Sequence, residues 1–201
     1  MIKALSINVS RILRGVKKTI WWLFYVLTYK KLGYRSYIYC PLQISGAKNI
    51  SIENKVYVGY KSWLTAVPIT GSKTCELVIG EGSTLGNFNH IYSTQSIVFD
   101  KHVLTADNVY ITDNLHNYEN VEMPIKMQGI KQISTVHIGE GTWIGENACI
   151  IGAKVGKNCV VGANAVVTKD IPDYCVVIGA PARIIKRYNL KSTVWEKVEI
   201  N

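Results

Sequence analysis

A six-residue repeat constrains the fold of this chain more than any other feature. Its clearest units open at Ile138, Ile144, Val155 and Val161, and looser ones open at Ile52, Val58, Ile79 and Phe99. The clear units begin with an aliphatic residue and glycine, and they carry Gly or Asn in fourth place and a small residue in fifth place. A period of six fits neither a helix nor a simple two-sided strand. It predicts a coil with short flat faces and tight corners, in which the first and fifth residues point inward and the fourth adopts positive φ. Stacked coils of this kind bury one continuous core.

Two segments leave the six-residue frame. Residues 66–76 contain Pro68 and Gly71 and are predicted to form a surface excursion. Residues 113–135 interrupt the repeat in its most regular part, and long irregular segments in compact domains are often functional. This second segment begins with "DNLH", which places His116 near its start. A histidine can accept and return a proton near pH 7, so His116 is a candidate general base.

The repeat also predicts smaller details. Val155 follows Ile150 after five positions, not six, in "CIIGAKVG", so one corner is expected to be shorter by one residue. His102 falls in fourth place of its unit and is predicted to have a structural role in a corner. The roles of His90 and His137 stay open, with His137 expected to face outward.

The positive charge is concentrated at the N-terminus. The chain of 201 residues has a formal net charge of +9, yet residues 1–52 hold nine basic residues and no acidic one, whereas 14 basic and 14 acidic residues follow. A neutral body argues against a nucleic-acid-binding groove there. Residues 7–29 are predicted to form a basic, Trp- and Tyr-rich helix, whose apolar part is too short to span a bilayer. This helix either lies on an anionic membrane surface, or caps the open end of the coil, or packs within an assembly of chains.

The cysteines favour a reduced compartment. Their number is odd and no C-x-x-C pair occurs, so buried free thiols in a cytosolic protein are expected and a zinc site has little support. The five residues are Cys40, Cys75, Cys149, Cys159 and Cys175.

The repeats over roughly residues 44–189 resemble the hexapeptide-repeat acyltransferases. The resemblance implies an all-β solenoid, a left-handed parallel β-helix with an N-terminal α-helical arm and a catalytic loop excursion. The expected divisions are an arm at 1–36, the β-helix at 37–189 and a tail at 190–201. In the sugar and polysaccharide O-acetyltransferase branch, a "D-H-x-H" stretch supplies the general base. Here Asp113 and His116 match that stretch and Asn114 replaces its first histidine, which leaves the acceptor preference open.

The same resemblance implies the binding partners and the remaining site residues. Acetyl-CoA would be the acyl donor, held without a metal in a groove between subunits of a homotrimer. The implied acceptor-binding residues are Asn87, Asn89, Asp113 and Trp143. Asn89 is equally well interpreted as a buried hydrogen-bonding residue. The implied donor-binding residues are Trp143, Gly145, Ala163, Thr168, Lys169, Arg183 and Lys186, and for each of the last four an ordinary solvated surface position is the alternative.

The resemblance, together with the position of His116, implies an acetyl-CoA-dependent O-acetyltransferase. Its acceptor would be a sugar hydroxyl of a surface polysaccharide or of a lipid-linked precursor, and the protein would be cytoplasmic with peripheral membrane contact. N-acetylation of an amino sugar or an antibiotic is the nearest alternative, and an inactive membrane-associated scaffold is an alternative of another class. A γ-type carbonic anhydrase requires three zinc-binding histidines, an arrangement that the four histidines of this sequence do not offer.

Overall fold

The structure is a computed structural model that describes Val16, Leu23 and residues 25–199. Most of the predicted N-terminal helical arm lies outside these residues. The described chain forms short β-strands, with 3-10 helices at Ala47–Asn49 and Ile125–Met127. Within the described part, no helix has the length and apolar character needed to cross a membrane.

The strands form three parallel sheets, called A, B and C here, and the chain visits them in turn. Sheet A consists of β1 (Lys31–Leu32), β4 (Ile50–Ile52), β7 (Glu76–Ile79), β10 (Ser96–Phe99), β15 (Val136–Ile138) and β18 (Lys154–Val155). The parallel part of sheet B consists of β2 (Tyr37–Ile38), β5 (Tyr57–Val58), β8 (Thr84–Leu85), β11 (Leu104–Thr105), β16 (Trp143–Ile144), β19 (Val160–Val161) and β21 (Cys175–Ile178). Sheet C consists of β3 (Gln43–Ser45), β6 (Trp63–Ala66), β9 (His90–Ser93), β12 (Tyr110–Thr112), β17 (Cys149–Ile151) and β20 (Val166–Val167). One strand from each sheet makes one three-sided coil, and six complete coils stack along the axis.

The hexad rule predicted the interior and the corners correctly. The small fifth residues Thr142, Ala148, Cys159 and Ala165 are buried together with the aliphatic first residues of their units. Fourth residues occupy the left-handed region, with φ of +70° at Gly141 and +58° at His102. Because every coil contributes inward residues at the same positions, the core is a continuous apolar column.

The shortened unit is accommodated at one corner, as predicted. Ile150 and Val155 are both buried, although only four residues lie between them. Gly152 adopts φ of +56° there and Ala153 takes the inward fifth position. A β-carbon on Gly152 would lie 2.5 Å from the Ile133 side chain, so this corner requires glycine for both conformation and space.

The ends of the β-helix differ from the predicted boundaries. The first strand begins at Lys31 and the predicted boundary at residue 36 lies within the first coil. Tyr29 is buried against this coil and Val26 packs beside it. At the other end, two antiparallel strands extend sheet B, β22 (Arg183–Asn189) and β23 (Val194–Lys197). The predicted tail at 190–201 therefore contains a strand.

Both excursions leave from the corner between sheets C and A. The first follows Ala66 and ends where β7 begins at Glu76. The second follows Thr112 and returns at Val136, and it contains an antiparallel hairpin of β13 (Asn114–His116) and β14 (Ile130–Gln132). The segment that interrupts the sequence repeat is thus an ordered element of its own.

Candidate active site

His116 lies on the hairpin, outside the coils. It is the last residue of β13, pairs with Ile130 across the hairpin, and has an exposed side chain. Below it, the Asn117 amide donates to the Gly129 carbonyl at 3.1 Å. An ion pair between Lys131 and Glu119 joins the two arms of the hairpin. These contacts give His116 a defined backbone position while leaving its imidazole accessible.

Asp113 anchors the base of this hairpin. Its side chain is fully buried, and its carboxylate accepts backbone N–H bonds from Thr94, Gln95 and Ser96 at 2.8, 2.8 and 2.9 Å. The Thr94 hydroxyl and the Asn114 side-chain amide donate to it as well. A carboxylate that is buried and saturated in this way cannot reach an acceptor sugar from outside. The structure therefore corrects the predicted acceptor-binding role of Asp113 to one of positioning.

Gln132 completes the anchor and was not found by sequence reasoning. Its Nε2 donates to the Asp113 carbonyl at 2.6 Å, and its Oε1 accepts from the hydroxyls of Thr94 and Thr70, each at 2.8 Å. Thr70 belongs to the other excursion, so this one side chain ties both excursions to the coil. The only sequence signal was its place just before the repeat resumes.

The two asparagines of "NFN" are used for structure. Asn89 is buried; its amide donates to Thr105 and to two main-chain carbonyls, and its oxygen accepts from the Val109 amide at 2.8 Å. This geometry decides for the buried hydrogen-bonding role and corrects the predicted acceptor contact. Asn87 accepts from the Tyr60 amide at 2.8 Å and donates to the Asp107 carboxylate at 3.0 Å. Its side chain is therefore engaged within the corner between sheets B and C.

The predicted general base and the predicted acetyl-CoA-binding residues lie in two separate places. One group, which we call the C–A edge, follows sheet C at the corner where the hairpin leaves, and consists of His116, Thr168 and Lys169. The other group, which we call the B face, lies on sheet B or on the corner between sheets B and C, and consists of Trp143, Gly145, Ala163, Arg183 and Lys186. Sheet C lies between the two places, so one chain does not bring the groups to one point.

The main-chain amides of the B face differ in availability. The Gly145 N–H donates to the Val161 carbonyl at 2.7 Å and cannot donate to a ligand as well, which corrects the acetyl-CoA-binding role predicted for this residue. Gly145 is needed because a β-carbon there would lie 2.6 Å from the Ala163 nitrogen. Within residues 25–199 the Ala163 N–H has no acceptor, and the residue is exposed. Ala163 thus retains a free donor on this corner.

Trp143 lies two residues before Gly145, with 48% of its side chain exposed. It pairs in register with Leu104 of the preceding coil, which is also exposed. The two side chains form an apolar strip on sheet B beside the free amide of Ala163. Such a strip can wall the apolar arm of a ligand while the amide holds it.

The other histidines and the cysteines have structural environments. His102 adopts a corner conformation, as predicted. His90 stacks on Trp63 with ring centroids 4.3 Å apart, and burial lowers its pKa. His137 pairs with Asp100 at 3.0 Å on the outer side of sheet A.

Cys75, Cys159 and Cys175 are buried free thiols, and burial raises the pKa of Cys159 to about 11. Cys40 is exposed, unlike the prediction.

Comparisons with known proteins agree with this architecture. A family profile described as "Hexapeptide repeat of succinyl-transferase" matches residues 135–169. The chain is 40% identical over 121 residues to a protein of Mycobacterium tuberculosis named a probable acetyltransferase, covering 60% of this chain and 39% of that protein. It is 37% identical over 120 residues to WbbJ of Escherichia coli, whose name assigns it provisionally to lipopolysaccharide biosynthesis as an O-acetyltransferase. That match covers 56% of this chain and 61% of WbbJ.

A longer match and two solved structures complete the comparison. The chain is 30% identical over 151 residues to galactoside O-acetyltransferase of Escherichia coli, covering 74% of this chain and 72% of that enzyme. The N-acyltransferase AntD of Bacillus cereus, solved as a mutant with dTDP and coenzyme A, has a TM-score of 0.68 at 19% identity over 82% of this chain and 86% of AntD. A hexapeptide-repeat-containing acetyltransferase of Vibrio cholerae has a TM-score of 0.59 at 21% identity over 94% of this chain and 93% of that one. The two structures support the fold, and the match across most of the galactoside O-acetyltransferase shows the relationship in sequence. The chain belongs to the hexapeptide-repeat acyltransferases.

Proposed function

We propose that this protein is an O-acetyltransferase that moves an acetyl group from acetyl-CoA to a sugar hydroxyl of a surface polysaccharide or its lipid-linked precursor. Membership of the family supports acyl transfer. The O-acetyltransferase names of WbbJ and of the galactoside enzyme support a hydroxyl acceptor. The exposed His116 on its anchored hairpin supplies the general base that such a transfer needs.

The observation that carries the proposal is the division of the candidate residues into two half-sites. The C–A edge offers a base and two polar residues, and the B face offers an apolar strip, a free amide and two cations. Complementary halves at different corners of the β-helix fit a site that forms between two copies of the chain. We therefore propose that the C–A edge of one chain faces the B face of the next in a homotrimer.

The residues of the B face fit the acyl donor. Arg183 and Lys186 are exposed cations near the end of the solenoid and suit the phosphates of coenzyme A. Trp143 and Leu104 would flank the pantetheine arm, and the Ala163 N–H would donate to one of its amide carbonyls. Thr168 and Lys169 of the adjacent chain would contact the nucleotide end. When bound, acetyl-CoA supplies the activated acyl group.

The chemistry follows from the position of His116. Its imidazole removes the proton from the sugar hydroxyl as the hydroxyl oxygen attacks the acyl carbonyl. The bond between carbonyl carbon and sulfur breaks, the new ester bond forms, and the histidine returns its proton to the departing thiolate. A main-chain amide would stabilise the charge that develops on the carbonyl oxygen, a contribution often worth about 3 kcal/mol. No covalent enzyme intermediate is required.

The test is acetyl transfer by wild type and by His116→Ala with a panel of sugars, measured as CoA release and as acetylated product. In the variant, the sugar-dependent rate is expected to fall by a factor of about 100 to 10,000, which is the usual contribution of a general base. Calorimetric binding of CoA should persist, because His116 lies outside the B face. His137→Ala removes another exposed histidine and should keep the wild-type rate. If both variants match wild type, His116 is not the base, and if wild type fails to bind CoA, the inactive-scaffold alternative is favoured.

A further inference from the structure

The corner between sheets B and C carries a file of aromatic side chains in its first three coils. Tyr39, Tyr60 and Phe88 occupy this corner in the coils that contain β2, β5 and β8. Ring centroids lie 5.5 Å apart for Tyr39 and Tyr60, whose planes are tilted by 42°, and 5.9 Å apart for Tyr60 and Phe88, which meet edge to face at 82°. The three rings therefore form one unbroken series, which we call the aromatic ridge.

Folding alone does not account for the aromatic ridge. Its side chains are 39%, 37% and 48% exposed, in the order Tyr39, Tyr60, Phe88, so they contribute little to the core. Phe88 also adopts φ of +55°, a conformation that costs an ordinary residue about 1 kcal/mol. The next coils place Asn108, Asn147 and Asn164 at the equivalent position, which is the residue type that this backbone favours. Three adjoining exposed rings, of which Phe88 is held at the expense of backbone strain, indicate a binding surface.

The location of the ridge indicates what it binds. The same corner carries Ala163 further along the axis, and Trp143 lies on the sheet beside it, so the ridge continues the B face toward the N-terminus. It ends at Phe88, one coil before the coil from which the His116 hairpin leaves. A ligand that lies along the ridge would thus extend away from the proposed reaction centre, on the side opposite the cations that suit coenzyme A.

We propose that the aromatic ridge is an extended acceptor subsite that binds consecutive sugar rings of a glycan, an inference that rests on the proposed function. Sugar residues present C–H groups that pack on aromatic rings, and a spacing of one ring per coil is similar to the length of one sugar residue. Because the ring planes turn from one coil to the next, a bound glycan would contact ring edges as well as ring faces. A single file of rings, one residue wide, fits a linear polymer better than a broad bilayer surface. Transfer would then occur near the end of a bound oligosaccharide and not only on a free monosaccharide.

Phe88→Asn is a sharp test because it removes one ring while supplying a residue suited to the backbone. The relief of backbone strain offsets the lost contact with Tyr60, so the variant should keep about the stability of wild type. A melting curve of the variant checks this directly. The matched control is His102→Asn, which also places asparagine at a left-handed corner, but between sheets A and B and away from the ridge. Both are assayed with maltohexaose, cellohexaose, chitohexaose and a galactan hexasaccharide, each beside its methyl glycoside.

For the best hexasaccharide, Phe88→Asn is expected to raise the acceptor KM about three- to tenfold, which is the range for loss of one aromatic stacking contact. The KM for acetyl-CoA, kcat and the KM for the methyl glycoside should stay within about twofold. His102→Asn should leave all four values unchanged. A hexasaccharide KM that Phe88→Asn does not change would overturn the proposal.

Two further measurements distinguish a glycan subsite from a membrane contact and from a contact between chains. If Phe88→Asn weakens flotation with vesicles of phosphatidylglycerol and phosphatidylcholine and leaves the hexasaccharide KM unchanged, the ridge contacts membrane and the glycan proposal is wrong. If it lowers the mass of the assembly in solution, the ridge is a contact between chains and the proposal is equally wrong.

Failure of the proposed function can be recognised separately. If wild type shows no transfer, saturation-transfer NMR with the same hexasaccharides still tests the ridge. Binding by wild type and by His102→Asn, with loss in Phe88→Asn, would support a glycan subsite without transferase activity. Equal binding by all three proteins, or no binding by wild type, would overturn it.

Discussion

At the scale of single residues, burial determines whether a polar side chain stabilises the fold or remains available for chemistry. Asp113 and His116 belong to the same short motif, yet the first is sealed in the base of the hairpin and the second is exposed at its edge. Three backbone N–H groups converge on the Asp113 carboxylate. The charge of Asp113 is therefore used to hold a hairpin in place.

Asp113→Asn tests this positioning role without changing the shape of the side chain. Both carboxylate oxygens accept backbone N–H bonds, so either orientation of the new amide sets an NH₂ group against at least one backbone donor. We expect the free energy of unfolding to fall by about 2–4 kcal/mol. Urea denaturation at fixed protein concentration measures it, and hydrogen exchange should quicken in residues 114–132.

The matched control is Asp100→Asn, which removes an exposed carboxylate that contacts His137. Its cost should stay below about 0.5 kcal/mol because the pair is solvated. Equal stability of the two variants would show that the buried network does not hold the hairpin.

Sequence reasoning could find His116 but not its anchor. The histidine stands at a visible break in the repeat and in a recognisable motif. Thr70, Thr94 and Gln132 come from three segments far apart in sequence, and no period or spacing relates them. Likewise, the fifth position predicted that Asn89 could face inward, but only its hydrogen bonds decided between burial and acceptor binding.

At the scale of the element, one hexad encodes one side and one corner of the coil. The prediction succeeded because each position has a distinct physical requirement, namely apolar volume, small volume or positive φ. The excursions have no such requirement, so their hairpin and its register with the coil could not be predicted. The predicted boundaries were wrong for the same reason, since β1 and β23 are outside the clear repeats.

Asn158 offers a test of the corner requirement away from the candidate site. It adopts φ of +48° at the corner between sheets A and B and its side chain is exposed. Asn158→Ala is expected to cost about 1 kcal/mol of unfolding free energy because alanine disfavours this conformation. Asn158→Gly should stay within about 0.5 kcal/mol of wild type. Chemical denaturation compares the two, and a more stable alanine variant would contradict the corner rule.

At the scale of the whole molecule, the decisive feature is that one chain holds two halves of the proposed site at different corners. An assembly of identical chains would then form each site from the C–A edge of one copy and the B face of its neighbour. This arrangement can be tested without a structure of the assembly, because two variants with defects in different halves should complement each other in a mixed assembly.

The test mixes His116→Ala chains with Ala163→Pro chains. Proline removes the free N–H at a turn position that it tolerates, and each variant alone is expected to lose most activity. In an equal, random mixture each site needs an intact His116 and an intact neighbouring Ala163, with a chance of about one half for each. Co-expressed, differently tagged chains should therefore recover about a quarter of the wild-type rate. Recovery of none would indicate that both halves act within one chain.

The way the solenoid ends has a consequence for its behaviour in solution. Parallel sheets that stop abruptly present unpaired backbone groups, which can recruit the edge of another molecule and seed fibres. Here the last strand of sheet C is bonded to Gly179 and Ala182, and Ile171 bridges to Val155 on sheet A. Sheet B reverses direction into β22 and β23. The C-terminal segment thus covers the end of a ladder to which the edge of another molecule could otherwise add.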